Sequence, residues 1–411
     1  MNKLPNGWQI KTLGDIFLIE RGSSPRPIKS FLTNDNNGIN WIKIGDAKNN
    51  SKYIYQSAEK IRPEGKKYSR FVEIGDLILS NSMSFGRPYI MKTIGCIHDG
   101  WVVLRKILKN IIYEEYAYYI LSSNQVHSEF SKLAAGSVVK NLSIDRIKQV
   151  YIPIPPLDEQ KRIASALSKI DAYLENTIKL IEEKERFKRG IAKKLLTCKE
   201  GENIPEARFK GFEDEWMEVA ISKIGTIITG NTPSTKNESF WNGNNVWVTP
   251  TDIKQKYISN SERKLTDDGL KKSRKLPANT LLITCIASIG KNAILKCEGA
   301  CNQQINAIIP NKNYNVDFLY YLFENEKSYL KFKAPQSVIK IMSKSEFSKL
   351  VFKFPLLEEQ EKIGGYLSLL DAEIDNLKKQ KELIKEMKRG AMQKLLSGEV
   401  RLSKNAFNEN I

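Results

Sequence analysis

Two stretches of the chain share one hydrophobic rhythm. Ile163, Leu167, Ile170, Leu174, Ile178 and Ile181 recur at steps of three and four. Ile363, Leu367, Leu370, Ile374 and Leu377 do the same, and Ile384 keeps the phase beyond the polar Lys381. Flanked by Glu and Lys, so narrow a seam predicts coiled-coil helices; ordinary amphipathic helices packed on their own domains are the alternative. Pro155-Pro156 and Pro355 stand just ahead of the two runs. Proline is tolerated there but costs about 3 kcal/mol inside a helix. Some 40 residues of helix span about 60 Å.

Elsewhere the apolar runs shorten to strand length. Residues 40–44, 76–80, 101–104, 246–248 and 280–284 read as strands punctuated by Gly, Asn and Pro. One further helix is predicted over 114–133 and another over 317–333. The stretch 198–214 lacks periodicity and reads as a linker. The mixture predicts the α+β class.

The chain repeats itself. Residues 154–197 and 354–397 align without a gap, with 18 of 44 positions identical. Glu159/Glu359, Gln160/Gln360, Leu167/Leu367 and Asp171/Asp371 are among the matches, and Ile170/Leu370 and Leu174/Ile374 keep the apolar seam. The preceding segments match more weakly and at a drifting offset: Trp8 with Trp216, Gly22 with Gly230, Pro25 with Pro233, Arg70 with Arg274, Gly86 with Gly290. A repeat this long excludes small-period solenoids. The expected organisation is a first globular domain (1–153), a central helix (154–197), a linker (198–214), a second globular domain (215–353), a C-terminal helix (354–397) and a tail (398–411). Two similar helices on one chain, each leading back to a globular domain, most simply pair antiparallel as a spacer.

Charge adds a partner to this picture. The chain carries 65 Lys and Arg against 47 Asp and Glu, a formal charge of +18. Such an excess favours a polyanion, because phosphate neutralisation releases counterions; solubility alone is the other reading. Five cysteines, an odd number without a C-x-x-C pair, predict reduced thiols and a cytoplasmic protein. No apolar run reaches the length of a membrane span, and the start has no secretory h-region.

Basic residues cluster at equivalent places in the two copies. Arg62, Lys66, Lys67 and Arg70 surround Tyr68 in the first. Arg263, Lys264, Lys271, Lys272, Arg274 and Lys275 form the second. Lysine and arginine beside an aromatic or glycine suit phosphate clamping, and arginine can also read guanine. A second pair of segments, 82–87 and 286–291, joins small residues to a terminal cation, Arg87 or Lys291. Arg21 and Arg26 are weaker candidates. For any one of these residues, a solvated charged surface is the simpler alternative.

Catalytic sets are missing from the sequence. No Asn/Asp-Pro-Pro-aromatic motif and no glycine-rich cofactor loop are present. Gly225 and Gly230 have the separation of a phosphate loop but are followed by Asn231. His98-Asp99 has Asn302-Gln303 as its counterpart, so a structural or DNA-facing turn is the better reading. Cys297 and Cys301 have no zinc-ligand partners, and no metal site is expected. A two-lobed basic nuclease and a coiled-coil scaffold remain alternatives.

The runs PPLDEQKRIA and PLLEEQEKIG each follow a globular domain and lead a helix that ends in KRG-x4-LL. With LPNGW at the start and PEARFKGFEDEW in mid-chain, they resemble the specificity (S) subunit of type I restriction–modification systems. The resemblance spans essentially the whole chain. It implies a non-catalytic subunit with two target-recognition domains on an antiparallel helical spacer, each reading half of a split DNA site. It also implies double-stranded DNA, two modification (adenine methyltransferase) subunits and two restriction subunits as partners. S-adenosylmethionine, ATP and Mg would then reside on those partners. Glu159, Gln160, Leu167, Ile170, Leu174, Glu359, Gln360, Leu367, Leu370 and Ile374 are the candidates for spacer or partner contact. Because the copies differ, the target is expected to be asymmetric, with about 10 base pairs between half-site centres.

Overall fold

The computed structural model describes residues 4–48, 51–81, 86–108, 110–134, 143–334 and 341–402. The chain divides into two units. One comprises residues 1–177 and 380–411, the other residues 178–379.

In the first unit, Phe17–Arg21, Trp101–Lys106, Leu77–Ser80, Pro88–Met91 and Tyr53–Ile54 form a five-stranded sheet in that order. All its pairings are antiparallel except the last. A second five-stranded sheet has the order Leu32–Thr33, Glu59–Ile61, Ile39–Ile42, Gly95–Ile97 and Arg70–Val72. Alternation along the strands divides the core. Ile78, Trp101 and Val103 pack with Ile42, Val72 and Ile97 of the second sheet. Leu77, Leu79, Val102 and Leu104 pack with Tyr116, Tyr119 and Ile120. A sheet covered on both faces explains why these strands read as unbroken apolar runs.

The second unit repeats the first sheet. Gly225–Thr229, Ile305–Pro310, Thr280–Thr284, Asn292–Leu295 and Tyr257–Ile258 have the same order and the same single parallel edge. Among the described residues its second sheet has three strands: Lys264–Leu265, Trp241–Val248 and Gly299–Cys301. The two units also share a two-stranded antiparallel sheet, Gln9–Thr12 with Tyr151–Ile154 and Met217–Ala220 with Val351–Phe354, so they differ only in the second sheet.

Local chemistry corrects several element bounds. The strand expected over 40–44 ends at Ile42, because the Asp46 carboxylate accepts the Lys43 N–H (2.7 Å) and turns Ile44–Asp46 into a 3-10 turn. The helix expected over 114–133 is two, Glu114–Leu121 and Asn124–Ala134. Ser122 donates back to the Tyr118 carbonyl, and the Ser123 hydroxyl accepts the Val126 N–H at the new start. The helix expected over 317–333 likewise divides into Val316–Asn325 and Lys327–Lys333.

The two long helices run Leu157–Leu196 and Leu357–Ser397. Within the first unit Lys388 meets Asp171 at 2.5 Å. Within the second, Lys188 meets Asp371, Lys184 meets Glu373 at 2.8 Å and Lys378 meets Glu185 at 2.7 Å. From Lys184 to Lys188 the partner moves back from Glu373 to Asp371, so the helices run antiparallel. Ile163 and Leu167 are buried on the first helix, with Ile170 and Leu174 half-buried; Ile363, Leu367, Leu370 and Ile374 are buried on the second.

A buried polar joint ties each sheet to this helix pair. The Lys52 ammonium lies 2.9 Å from Ser168 and 3.4 Å from Glu115, and the Tyr119 hydroxyl donates to Asp171 at 2.6 Å. In the second unit Lys256 meets Ser368 at 2.6 Å and Asp317 at 2.7 Å, and Tyr321 donates to Asp371. Burial pulls both ammonium groups below the usual lysine range, while the neighbouring carboxylates pull the other way.

Candidate nucleic-acid interface

In the first unit the basic cluster is carried by a 3-10 helix, Pro63–Tyr68. Proline at its start fixes the backbone, and buried Gly65 seats it against Phe31 and Ile61. Arg62, Lys66 and Lys67 are left exposed. The Lys66 ammonium lies 3.8 Å above the Phe71 ring, and that of Lys67 lies 4.8 Å above Tyr68. Aromatic faces hold the cations in place without neutralising them.

Arg70 is built differently. Its guanidinium pairs with Glu20 at 2.8 Å and donates to the Arg21 carbonyl at 3.4 Å. The loop that follows is fixed from both sides: Ser23 donates to the Tyr68 carbonyl (3.2 Å), and Ser69 donates to the Ser23 carbonyl (2.6 Å). A Cβ on Gly22 would sit 2.1 Å from the His98 carbonyl oxygen, so only glycine fits.

The second unit keeps this frame and replaces the 3-10 helix by a short α-helix, Asp267–Lys271, capped by the Thr266 hydroxyl. Arg274 donates to the Thr229 carbonyl at 2.6 Å, and a Cβ on Gly230 would meet the Asn302 carbonyl at 2.2 Å. Asn231 bridges the loop to the Lys272 carbonyl (3.0 Å) and the Arg274 N–H (2.8 Å). In both units, then, the paired arginine donates to the carbonyl ahead of the tight glycine. Lys272 is exposed; exposed Lys271 pairs with Asp268, and Lys275 with Glu298, both at 2.8 Å. Lys264 is half-buried on its strand.

Arg263 stands apart. Its exposed guanidinium lies 3.8 Å above the Trp241 ring and 5.4 Å from that of Trp247. The cluster is visible as charge in the sequence, but this stack is not: it needs a tryptophan 22 residues upstream brought alongside by strand pairing.

The small-residue turns are also duplicated. Gly86 and Gly290 adopt φ of 77° and 86°, the left-handed region that suits glycine. Each donates its N–H to an equivalent carbonyl, Ser80 or Thr284. Arg87 and Lys291 are exposed beyond them, while residues 82–85 lie outside those described.

The His98-Asp99 pair has no free base. His98 Nδ1 accepts the Gly100 N–H (2.9 Å), so Nε2 carries the proton and faces Asp99 Oδ1 at 2.8 Å. Burial raises the Asp99 carboxyl, but Ser24, His98 and Arg26 together hold it below the usual range. Burial pushes the Cys285 thiol up to about 11 and that of Cys301 to about 12, as for inert core thiols. Among the described residues no group of three His, Cys, Asp or Glu side chains is placed to hold a metal, and no helix is long and apolar enough to cross a membrane.

Glu159, Gln160, Glu359 and Gln360, singled out on the helices, point into their own units. Gln160 accepts the Tyr113 N–H (2.7 Å) and donates to the Pro155 carbonyl (2.9 Å). Gln360 does the same with Asn315 (3.0 Å) and Pro355 (2.9 Å). Buried Glu159 is held by Arg401 and Glu359 by Arg208, two arginines that sequence reasoning missed.

Residues 5–183 and 213–386 match the family described as type I restriction modification DNA specificity domain. The type I restriction enzyme MjaIX specificity subunit of Methanocaldococcus jannaschii is 36% identical over 180 residues, 42% of each chain. A putative specificity subunit of the same organism, for the MjaX enzyme, is 26% identical across 98% of this chain and 96% of its own. A crystal structure of the type I restriction-modification S subunit from M. genitalium superimposes with a TM-score of 0.58. That match covers 96% of this chain and 98% of the other at 18% identity, a likeness of fold.

Proposed function

The chain belongs to the type I restriction modification DNA specificity family, matched in both of its halves, and from that premise we propose that it reads a two-part, asymmetric DNA site and directs an adenine methyltransferase to it. Members named as specificity subunits are the non-catalytic recognition component of their enzymes, and this chain takes that role.

One observation carries the reading of the site. The two units keep a common sheet, a common glycine loop and a common arginine anchor, yet expose different side chains on that frame. Common parts suit a task done twice, such as gripping the phosphate backbone. Different parts suit two different base sequences. Lys66 and Lys67 in one unit and Lys272 in the other are the phosphate candidates, being exposed cations without a carboxylate partner among the described residues. Two modification subunits and two restriction subunits complete the proposed assembly.

Comparison of the methylated adenines in source cells with and without this gene tests the proposal. Loss of methylation at one split, non-palindromic motif is the expected result. An unchanged methylome would refute it.

A further inference from the structure

We propose that Arg263 is a specificity-determining residue that recognises a guanine in the half-site read by the second unit. This rests on the DNA-recognition reading above.

The support under Arg263 is rigid. Trp241 and Trp247 meet edge to face, with ring centroids 5.0 Å apart at 85°. Only 7% and 3% of their surfaces are exposed. Each indole N–H is tied to the backbone of the glycine loop, Trp241 to the Ser234 carbonyl and Trp247 to the Asn231 carbonyl, both at 3.1 Å. The same Asn231 side chain holds the Lys272 carbonyl and the Arg274 N–H. The stack is therefore tied to the same loop that holds the backbone of Lys272 and Arg274.

The guanidinium has not been given another task. Arg70 is engaged by Glu20 and Arg274 by the Thr229 carbonyl. Arg263 has neither an ion pair nor a hydrogen bond from its guanidinium among the described residues. A guanidinium held over an aromatic face is restrained there without using its N–H groups, which stay available as donors. Two N–H groups so presented match the O6 and N7 acceptors of guanine in the major groove.

The stack is also peculiar to the second unit. Val246 pairs with Lys264 there, and Asn40 pairs with Lys60 in the first unit. The residue in register with Arg263 is therefore Glu59, which pairs with Lys43 at 2.6 Å. Trp247 has Trp41 as its counterpart by pairing with the parallel strand, but the strand Ile39–Ile42 begins only at the register of Asn245, past that of Trp241. An exposed donor that the shared frame does not repeat is what a unit with its own target requires.

The test compares adenine methylomes of source cells carrying the wild-type chain, Arg263→Ala, Arg263→Lys or Lys272→Ala. The wild-type motif should contain a guanine in one half. Arg263→Ala should raise acceptance of other bases at that position roughly tenfold, the factor that about 1.4 kcal/mol carries, and leave the other half intact. Arg263→Lys should relax the same position, since an ammonium has no fork. Lys272→Ala should lower methylation at every site without altering the motif. Thermal unfolding of the purified full chain, unchanged from wild type, checks that the variants fold. An unmoved motif in Arg263→Ala, a change in both halves, or a loss uniform across bases would overturn the assignment while leaving the recognition reading in place. Absence of any split motif in wild-type cells would overturn both.

Discussion

Arg401 closes on Glu159 across 242 residues of chain, with Nη2 2.6 Å from Oε2 and Nε 2.9 Å from Oε1. Its Nη1 also donates to the Asn6 carbonyl at 3.2 Å. Arg208 makes the equivalent contacts in the second unit, to Glu359 at 2.8 and 2.9 Å and, from Nη2, to the Asp214 carbonyl at 2.6 Å. The segment after the first long helix therefore completes the second unit, and the segment after the second long helix completes the first. A short repeat carries this: Glu206-Ala207-Arg208-Phe209 and Glu399-Val400-Arg401-Leu402. Phe209 and Leu402 each pack against the core of their unit.

Arg208→Ala should cost about 3 kcal/mol of stability, because it leaves the buried Glu359 carboxylate uncompensated. Arg401→Ala should cost clearly less, since the Arg401 side chain is 45% exposed against 13% for Arg208. Denaturant unfolding of the full chain with each variant checks the order.

Acid should weaken the first unit through the same contact. The Arg401 fork holds the Glu159 carboxyl below its ordinary 4.5 against the effect of burial, with Trp8 and Arg162 adding to it. A depressed carboxylate contributes fully above the unfolded value and is lost as pH falls through the folded one. Melting temperature should therefore drop below about pH 4.5 by more in the wild type than in Arg401→Ala. Parallel curves for the two proteins would contradict this.

The antiparallel register can be tested by exchanging charges. Asp171→Lys places a cation against Lys388 and beside Lys52, and should cost about 2–3 kcal/mol. Adding Lys388→Asp should recover about 1 kcal/mol or more, the coupling of residues in contact. A double-mutant cycle on unfolding free energy measures it.

Arg70→Ala should lower affinity for the first unit's half-site without relaxing its base preference. The reason is that Arg70 fixes the loop at Gly22 through Glu20 and the Arg21 carbonyl. Competition binding against duplexes altered one base at a time separates the two effects. Selective loss at one base position would assign Arg70 to direct reading instead.

Lys66, Lys67 and Lys272 should each act on the salt dependence. If each neutralises one phosphate, its alanine variant should reduce the slope of log K against log salt by about 0.9. Titrations of the assembled complex at several salt concentrations give the slope.

Much of this molecule is legible in the order of its residues. The seam at Ile163, Leu167, Ile363 and Leu367 is a local periodicity, and local periodicity is enough to fix a long helix. The duplication is legible because identical tasks kept identical residues, as with Asp171 and Asp371. The basic clusters at 62–70 and 263–275 are visible as charge, since exposed cations need no partner in the fold. Two helices expected as single are each two; in the first, Ser122 and Ser123 turn their hydroxyls onto the backbone at the break, a local competition that apolar periodicity does not register.

Properties that depend on near neighbours can be read from the order of the residues: two repeated units, long helices with an apolar seam, and basic surfaces. Which charges are already engaged emerges only in the folded chain. Arg70 and Arg263 are alike in a sequence, yet one is bound by Glu20 and the other lies free on Trp241. The partner of Arg401 is 242 residues away. Ion pairing and stacking depend on distance in space, and chain folding sets that distance independently of separation along the chain.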